Sequence, residues 1–380
     1  MTDFDVVILG AGPAGCATAL ALRKRGIEKI LVVDRAAPKP FIPGESATPD
    51  LARLLQELGL DADLARFGYR PYFGNLAAWG GPPALSLFGR RGHGWHLDRT
   101  SFEIRLRKEA AAHGVMLACP ARLGAICALA SGWQIDVEGF GTAAARVLVD
   151  AGGRRAPLAT RLGAKRRRLD SLVALAVRVP CAAESGLEGY SFVESFADGW
   201  WYAARVPSGE AVVMLMTDRD IAAHYRDGDS FARAWRDAPE LSRRIAPPQE
   251  CMPPQVFAAH SAISDRGAGN GWIAVGDALM ALDPLTSSGL SGAFNDAIAA
   301  SAVIESILRG DDAGPLYENR ARTTLHRYLF ERVAYYRVEK RWPERAFWAR
   351  RSGLPTGQAA EGFAKRPLPV GGALGSRPVA

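Results

Sequence analysis

Residues 5–15 read Asp-Val-Val-Ile-Leu-Gly-Ala-Gly-Pro-Ala-Gly, a short β-branched run that ends in a glycine-rich turn. Residues 16–24 continue in a helical pattern, and residues 29–34 form a second apolar run that closes on Asp34. The order of strand, glycine turn, helix and strand is typical of a βαβ unit, in which the two strands lie parallel. This stretch therefore predicts an α/β domain that begins close to the first residue.

The glycine turn has the spacing Gly-x-Gly-x-x-Gly, and each glycine has a physical use. Gly10 suits the tight turn, Gly12 lets the backbone approach a pyrophosphate, and Gly15 lets the helix pack closely on the strand. The N-terminus of the helix then faces an anion, and the carboxylate of Asp34 can accept both ribose hydroxyls of an adenosine. The pattern predicts dinucleotide binding, but it does not distinguish NAD from FAD.

Length and composition limit the possible classes of protein. The chain has 380 residues, enough for two or three domains, and 48% of them are hydrophobic, as in an ordinary folded enzyme. Its net charge of +7 is modest and predicts no nucleic-acid partner. The five cysteines lack the spacing of a zinc or redox motif, so no metal site is expected. Without a signal pattern or a run of roughly 18 apolar residues, the sequence predicts a soluble cytoplasmic protein with no membrane span.

Farther along the chain, the pattern of helices and buried strands gives way to alternating segments and then resumes. Residues 46–60 and 100–114 are helical, whereas the stretch from 170 to 260 contains alternating, aromatic-rich segments. Alternation of this kind indicates an antiparallel sheet, which would be inserted into the first domain and carry the substrate. Residues 272–275 then predict a returning strand, and residues 315–350 predict C-terminal helices.

The predicted domain boundaries follow from these changes. A basic run at 165–168 lies at one of them and is predicted to be a solvated face, with docking of an acidic partner as the alternative. The boundaries are 1–75, 95–165 and 260–312 for the FAD-binding or other dinucleotide domain, 76–94 and 166–259 for the substrate domain, 313–352 for a helical segment, and 353–380 for a mobile tail rich in Gly and Pro.

A second glycine-containing motif indicates which dinucleotide is bound. Residues 271–278 read Gly-Trp-Ile-Ala-Val-Gly-Asp-Ala, and they are followed by Asp283-Pro284 and by Ser-Ser-Gly-Leu at 287–290. This segment resembles the second flavin fingerprint of FAD-dependent monooxygenases. The resemblance implies that Asp277 binds the ribityl chain and that the next helix points its N-terminus at the flavin, where its dipole stabilises the reduced form. FAD is therefore the expected cofactor, in a Rossmann-like domain of the hydroxylase or glutathione-reductase type.

Shorter motifs narrow the family. Gly-Glu-Ser at 44–46 and His-Leu-Asp-Arg at 96–99 resemble the branch that contains flavin-dependent tryptophan halogenases and related hydroxylases. Asp-Ala-Gly-Gly-Arg-Arg at 150–155 resembles the middle motif of single-component hydroxylases, but Gly152 stands where those enzymes carry an aspartate. Because that aspartate helps to bind NAD(P)H as well as FAD, two reductants stay open: NAD(P)H acting directly, and a separate flavin reductase.

Four segments together carry the broadest resemblance: 44–46, 72–80, 92–99 and 199–202. They resemble the halogenase-like flavoproteins that mature tryptophylquinone cofactors in bacterial amine dehydrogenases and amino-acid oxidases. The resemblance implies hydroxylation of an electron-rich aromatic ring through the C4a-hydroperoxide of the flavin. The ring would belong to a small molecule or to a tryptophan side chain of a partner protein.

The sequence departs from the halogenases of this branch at two places. Those enzymes carry a lysine after the Gly-Glu-Ser motif, and residues 44–94 contain no lysine. They also carry a Trp-x-Trp-x-Ile-Pro segment, and here Tyr202 and Ala204 occupy the tryptophan positions. Both departures favour a monooxygenase. Three alternatives stay open: a halogenase, a flavin saturase of the prenyl-reductase type, and a non-catalytic escort protein with the FAD fold.

The residues expected at the site fall into two groups. Those expected to bind FAD are Gly10, Gly12, Pro13, Ala14, Gly15, Asp34, Arg35, Glu45, Ser46, Arg99, Asp277, Pro284, Gly289 and Leu290. Those expected to contact the substrate are aromatic and imidazole side chains that would meet at the interdomain cleft: the catalytic candidates Trp79, His96, Trp201 and Tyr202, with His93 and Trp200 as further pocket candidates.

Overall fold

The computed structural model describes residues 2–35, 40–250 and 252–353. The predicted mobile tail, 353–380, lies outside the described residues except for Gly353. The strands are β1 Thr2–Leu9, β2 Ile30–Val33, β3 Ser46–Ala47, β4 Arg70–Tyr72, β5 Gly74–Ala78, β6 Ala84–Leu87, β7 Gly94–His96, β8 Met116–Ala118, β9 Leu123–Leu129, β10 Gly132–Val137, β11 Gly141–Asp150, β12 Arg166–Arg168, β13 Leu172–Pro180, β14 Tyr190–Phe196, β15 Gly199–Arg205, β16 Glu210–Asp218, β17 Gln255–Ala258, β18 Ala262–Ser264, β19 Ala268–Gly269, β20 Trp272–Ala274 and β21 Met280–Ala281.

The helices differ from the sequence prediction at two ends. The α-helices are α1 Pro13–Lys24, α2 Asp50–Glu57, α3 Arg99–Ala112, α4 Pro157–Arg161, α5 Gly228–Arg236, α6 Pro239–Arg244, α7 Gly289–Arg309, α8 Gly314–Val338 and α9 Ala346–Ala349. The helix predicted from residue 46 begins only at Asp50, because β3 comes first and Pro49 disfavours helical backbone in the residue before it. The helix predicted over 315–350 is interrupted between α8 and α9, where Pro343 cannot continue a helix.

The first sheet is built around the N-terminal βαβ unit. Strand β1 lies parallel to β2 on one side and to β11 on the other, and the sheet order is β19-β20-β11-β1-β2-β8. Strands β9 and β10 form an antiparallel hairpin that pairs with β11. Helix α1 packs against α7, and the apolar side chains of both helices and the sheet share one core. Parallel strands buried on both faces explain the continuous apolar runs of β1 and β2.

The second sheet has seven strands in the order β17-β13-β16-β15-β14-β5-β6. Its neighbours are antiparallel except for β14 and β5, which run parallel. Because β5 begins at Gly74, the second sheet starts two residues before residue 76, where the substrate domain is predicted to begin. Strand β12 is not part of it and pairs instead with β18 in a small separate sheet. The α/β class, with a largely antiparallel inserted sheet and C-terminal helices, is confirmed.

The two faces of the second sheet meet different partners. We call the face that carries Phe192 and Trp201 the outer face; helices α5 and α6 cover it with an apolar cluster. We call the face that carries Trp200 and Tyr202 the inner face; it packs against α8 and α9 and against Leu285, which follows Asp283-Pro284 of the second motif. Among the described residues, no helix is both long enough and apolar enough to cross a membrane.

Candidate active site

The first glycine turn has the shape that the sequence predicts. A Cβ atom on Gly10, whose φ is +110°, would lie 2.3 Å from the carbonyl oxygen of Ala151, and one on Gly15 would lie 1.9 Å from the oxygen of Gly10. Neither position tolerates a side chain. A Cβ on Gly12 would have no atom within 4 Å, so open space lies in front of the α1 N-terminus, where Pro13 takes the first turn. This space fits a pyrophosphate.

Asp34 directly follows β2 beside this turn, and it pairs with Arg107, which the sequence analysis did not single out. Its Oδ2 accepts the N–H of Ala11 at 2.9 Å and lies 3.1 Å from a guanidinium nitrogen of Arg107. The Nε–H of Arg107 also donates to the carbonyl of Ala11 at 3.0 Å. One feature of the sequence could have pointed to Arg107, namely its place two helical turns after Arg99 on α3. The neighbouring Arg35 is exposed, so its predicted contact with FAD stays a prediction.

The second motif forms a tight turn that lies against the first motif. Residues Gly276–Ala278 are a single 3-10 turn, and a Cβ on Gly276 would lie 2.7 Å from the Cβ of Ala14 in α1. The two glycine motifs therefore touch. Asp277 faces Arg154, with a carboxylate-to-guanidinium distance of 3.4 Å.

Arg166 is the residue that fixes this turn. Its guanidinium donates to the carbonyls of Asp277, Ala278 and Leu279 at 2.5, 2.9 and 3.0 Å. Burial lowers the pKa of Arg166 to about 10. The prediction that 165–168 is a solvated face is therefore wrong for Arg166. Its neighbours Lys165 and Arg168 are exposed, as predicted, and a run of basic residues does not show which of them points inward.

The segment after the turn connects the flavin motif to the C-terminal helices. Asp283 is buried; its Oδ1 accepts the N–H of Leu285 at 3.0 Å and its Oδ2 accepts the hydroxyl of Tyr336 in α8 at 2.7 Å. Burial raises the pKa of Asp283, and the Arg332 guanidinium opposes this. At the start of α7, a Cβ on Gly289 would have no atom within 4 Å, while the next residue, Leu290, is buried. The open N-terminus of a 21-residue helix fits one edge of a flavin.

Glu45 and Arg99 contribute buried polar atoms that lack partners. Glu45 is only 2% exposed, and neither carboxylate oxygen has a hydrogen-bond partner among the described residues. Burial therefore raises the pKa of Glu45 to about 7, although its own backbone and Arg99 oppose the shift. The guanidinium of Arg99 donates to the carbonyl of Gly44 at 3.0 Å and to Glu103 at 2.7 Å, and its Nε is without a partner in the described structure. Such atoms fit the polar edge of a bound FAD.

A buried hydrogen-bonded chain crosses from the inner face to β7. The hydroxyl of Tyr202 lies 2.7 Å from Ser46 Oγ, which lies 2.6 Å from Ser191 Oγ. Ser191 Oγ lies 3.0 Å from Nε2 of His96. Cross-strand pairing of β3 with β7 places Ser46 beside His96, and β14 brings Ser191 next to β15. The predicted residues Tyr202 and Ser46 are thus bonded directly, and Ser191 joins Ser46 to His96. The sequence analysis did not single out Ser191, because a serine within a strand carries no motif.

The imidazole of His96 is held neutral in this chain. Burial lowers its pKa to about 3, and the ring of Tyr72 stacks on it with the centroids 4.4 Å apart. A ring that stays neutral can accept a hydrogen bond, but it cannot act as a charged acid near pH 7.

The predicted aromatic residues divide between the two faces. Trp79 and Trp200 join an edge-to-face cluster with Tyr336 and Trp348 on the inner face, where the indole N–H of Trp79 donates to the carbonyl of Tyr335 at 2.9 Å.

The expectation that Trp201 meets the other catalytic candidates in one cleft is wrong. Its side chain is fully buried on the outer face, with ring centroids 5.1 Å from Phe231 and 6.2 Å from Trp235. Successive residues of a strand point to opposite faces, so Trp201 cannot share a cleft with Tyr202. His93 is also outside the polar chain: it is exposed and packs against Trp95 and Phe73.

Comparison with known proteins agrees with this geometry. Residues 3–324 match the family described as FAD binding domain. The protein LodB of Marinomonas mediterranea, described as an FAD-dependent oxidoreductase, is 29% identical over 377 residues, which cover 95% of this chain and 100% of LodB.

Two solved structures are similar over most of their length. The myxobacterial chondrochloren halogenase CndH superposes with a TM-score of 0.81 at 24% identity, covering 95% of this chain and 88% of CndH. QhpG, a peptidyl tryptophan dihydroxylase essential for tryptophylquinone cofactor biogenesis, superposes with a TM-score of 0.75 at 27% identity, covering 93% of this chain and 80% of QhpG. The cofactor and branch expected from the sequence are confirmed. The chain belongs to the FAD-binding domain family and is an FAD-dependent oxidoreductase of its halogenase-like branch.

Proposed function

We propose that this chain hydroxylates an electron-rich aromatic ring, and that the ring is the indole of a tryptophan side chain in a partner protein undergoing quinone-cofactor maturation. QhpG, which is similar over most of the chain, acts on peptidyl tryptophan and supports this substrate class. A small aromatic molecule is the alternative substrate. A halogenase is the alternative enzyme, since CndH is similar to a comparable extent.

Hydroxylation is favoured over halogenation above all because the polar groups hydrogen-bonded around Ser46 are hydroxyls and an imidazole, with no ammonium among them. Those groups include the hydroxyls of Tyr202, Ser46 and Ser191 and the imidazole of His96. Every lysine in the part of the chain that the structure describes is exposed: Lys24, Lys29, Lys108, Lys165 and Lys340. An ammonium that would hold an oxidised halogen beside the substrate is therefore missing from the described residues around Ser46.

The roles of the residues follow from their positions. Bound FAD supplies activated oxygen once it is reduced. The space at Gly12 would hold the pyrophosphate in the middle of FAD, and the turn held by Arg166 would hold the flavin half, with Asp277 binding the ribityl chain. On the inner face, Tyr202 orients the aromatic ring, and the tryptophan cluster around Trp200 keeps water away from it.

The overall reaction balances with one external reductant. A ring C–H becomes C–OH, and the second oxygen atom of O₂ leaves as water. NAD(P)H or a separate flavin reductase supplies the two electrons, and two protons are taken up with them. NAD(P)H binding would be transient, because the sequence holds one Gly-x-Gly-x-x-Gly motif only.

The test is mass spectrometry of a tryptophan-containing partner protein or peptide. The FAD-loaded protein is reduced chemically, mixed with the substrate and exposed to oxygen in the presence of chloride and bromide. We expect mass gains in steps of about 16 from oxygen insertion. Gly12→Val, which fills the pyrophosphate space, should lose FAD and give no product. Chlorinated or brominated product would contradict the proposal.

A further inference from the structure

A cleft of about 400 Å³ lies at one end of the second sheet, and we call it the end cleft. Its lining comes from the end of β14 and the following turn, from the loops beside α5, and from the segment between α8 and α9, namely residues 194–198, 225, 237, 239, 341, 342 and 345. None of the residues expected to bind FAD or the substrate is among them. The volume is in the range of small-molecule sites, so the end cleft has room for a ligand of its own.

The charged groups of the end cleft have opposite signs in different parts of the chain. The turn after β14 and the end of α5 contribute Asp198 and Asp237, whereas the segment between α8 and α9 contributes Arg341 and Arg345. A guanidinium nitrogen of Arg345 lies 4.0 Å from Oδ1 of Asp198, which is longer than a hydrogen bond. Both groups can therefore bond to a ligand that lies between them.

The side chains around this pair are held by the protein itself. The hydroxyl of Tyr225 donates to Oδ2 of Asp198 at 2.6 Å, and Oδ1 is the oxygen that faces Arg345. The guanidinium of Arg341 donates to Glu339 at 2.7 Å. Because these side chains are already fixed, a ligand that binds between them costs little further conformational entropy.

The end cleft also has an apolar wall. The ring of Trp342 is half-buried; the guanidinium of Arg341 lies over it, 4.3 Å from the ring centroid, and Trp348 stacks beside it at an interplanar angle of 29°. Phe196 and Pro239 line the same space. Such surfaces bury an apolar side chain, so the end cleft combines one apolar wall with two groups of opposite charge.

We propose that the end cleft binds a free α-amino acid with an apolar side chain. Its carboxylate pairs with the guanidinium of Arg345, its ammonium with Oδ1 of Asp198 and with Asp237, and its side chain lies against Trp342. An α-amino acid carries both charged groups on one carbon, so it can contact an arginine and an aspartate that stand 4.0 Å apart. This inference goes beyond the proposed function and depends neither on the reaction nor on the place of the aromatic substrate.

Ligands with a single charge are the alternatives. A carboxylic acid would pair with Arg345 alone, and an amine would pair with Asp198 and Asp237 alone. The first experiment therefore compares L-phenylalanine with 3-phenylpropionate, which lacks the ammonium, and with phenethylamine, which lacks the carboxylate. Isothermal titration calorimetry of the full-length, FAD-loaded protein at pH 7 measures the three affinities.

We expect L-phenylalanine to bind about tenfold more tightly than either of the other two probes, because each of them lacks one charge-assisted hydrogen bond. Failure of L-phenylalanine to bind would overturn the proposal. Equal affinity for 3-phenylpropionate or for phenethylamine would do the same, since the end cleft would then recognise only one of the two charges.

Variants of the charged pair test where the amino acid binds. Arg345→Gln and Asp198→Asn each remove a charge and keep the size of the side chain, and we expect each to weaken the binding of L-phenylalanine about tenfold. In Arg345→Gln, L-phenylalanine should bind no more tightly than phenethylamine. The side chain of Arg345 is 60% exposed and an asparagine at 198 can still accept from Tyr225, so FAD content and melting temperature should stay unchanged.

Matched controls come from the exposed surface of α5 outside the end cleft. Arg236→Gln and Asp229→Asn remove one charge of each sign there, and both should leave the affinity for L-phenylalanine within about twofold. Unchanged affinity in Arg345→Gln and Asp198→Asn as well would overturn the proposal.

The outcomes also separate this inference from the proposed function. Tyr202→Phe, at the inner face, should leave the affinity for L-phenylalanine within about twofold. A larger loss in that variant would place the amino acid at the inner face and overturn the assignment of the end cleft. Oxygen insertion by a protein that binds no amino acid would remove this inference and leave the hydroxylase standing, whereas binding at the end cleft by a protein that halogenates its substrate would do the reverse.

Discussion

A glutamate and a tryptophan are buried at each of the two faces of the second sheet, but the hydrogen bonds of these side chains differ between the faces. On the outer face, Glu194 accepts the backbone N–H groups of Glu240 and Leu241 at the start of α6, at 3.2 and 2.7 Å. Against the inner face, Glu45 is buried just as deeply, and its carboxylate has no hydrogen-bond partner in the described structure. Trp201 only fills space on the outer face, whereas Trp200 donates to the hydroxyl of Tyr336 on the inner face.

This contrast separates stability from function. The outer face pairs its buried carboxylate with two backbone N–H groups, and among the four side chains compared its one buried group without a partner in the described structure is the indole N–H of Trp201, which carries no charge. The inner face keeps polar atoms that are costly to bury without partners, and such atoms are retained where a cofactor or substrate completes them. Changes on the outer face should therefore affect folding, and changes near the inner face should affect FAD, substrate and pH dependence.

The largest effect should come from Trp201→Ala. Removing this fully buried ring leaves a cavity beside Phe231 and Trp235, and we expect the free energy of unfolding to fall by about 3–5 kcal/mol. Urea unfolding measures it. FAD bound per folded molecule should not change. A loss of FAD at constant stability would break the contrast between the faces.

The next effect is a pH-dependent one at Glu45. Because burial holds its pKa at about 7, the folded protein keeps a proton that the unfolded chain releases near pH 4.5, and stability falls as the pH rises between these values. Glu45→Gln removes this dependence. In FAD-free protein we expect it to match the wild type below pH 4.5 and to be more stable by about 3 kcal/mol at pH 8.

Glu194→Gln is the matched change on the outer face. It replaces a carboxylate that accepts two N–H groups, so we expect a loss of about 1–3 kcal/mol, opposite in sign to the effect of Glu45→Gln. Burial raises the pKa of Glu194 as well, with the N–H groups of Leu241 and Glu240 opposing the shift, so this loss should become smaller as the pH rises. Denaturant titrations at several pH values compare the pair. Two changes of the same sign would show that the buried carboxylates are not in different environments.

A fourth substitution tests whether FAD binding depends on the arginine that holds the turn of the second flavin motif. Arg166→Leu removes the donors to three carbonyls of the second flavin motif, and we expect the dissociation constant for FAD to rise about tenfold, which is about 1.4 kcal/mol. Lys165→Leu, at the exposed neighbour, should leave FAD binding unchanged. Titration with FAD measures both. If Arg166→Leu binds FAD as tightly as the wild type, this arginine supports the fold and does not contribute to FAD binding.

The smallest effect on stability should come from Tyr202→Phe. It removes one hydrogen bond to Ser46, which keeps its bond to Ser191, so the free energy of unfolding should change by no more than about 1 kcal/mol. The ratio of product to released peroxide should nevertheless fall severalfold, since the ring is no longer oriented. Trp201→Phe, on the outer face, should keep that ratio. Equal ratios in the two variants would show that Tyr202 does not orient the substrate.

The parts of the fold and site that the sequence predicted are those that depend on local backbone geometry. The roles of Gly10 and Gly15 follow from their spacing, because the contacts they allow lie within one turn and its neighbouring strand. The second motif was recognisable for the same reason. The expectation that Trp201 and Tyr202 share one cleft overlooked a local rule, because neighbouring residues of a strand such as β15 point to opposite faces.

The remaining site residues depend on contacts between segments far apart in the chain. Ser191 becomes visible only when β14 comes to lie near β3 and β7, and 145 positions separate it from Ser46. Arg166 is one of four consecutive basic residues, and only the fold shows which of them turns inward. Neither position has a composition or spacing that distinguishes it.

The bond between Tyr336 and Asp283 also determines when during synthesis the cofactor site is finished. Asp283 belongs to the second flavin motif, but the groups that stabilise its buried carboxylate, Tyr336 and Arg332, are in α8. A nascent chain that has already made both glycine motifs therefore still lacks the support for the loop beside the flavin. We therefore expect stable capture of FAD only after α8 has been made, and a chain that ends before α8 would expose an incompletely formed inner face to other proteins in the cell.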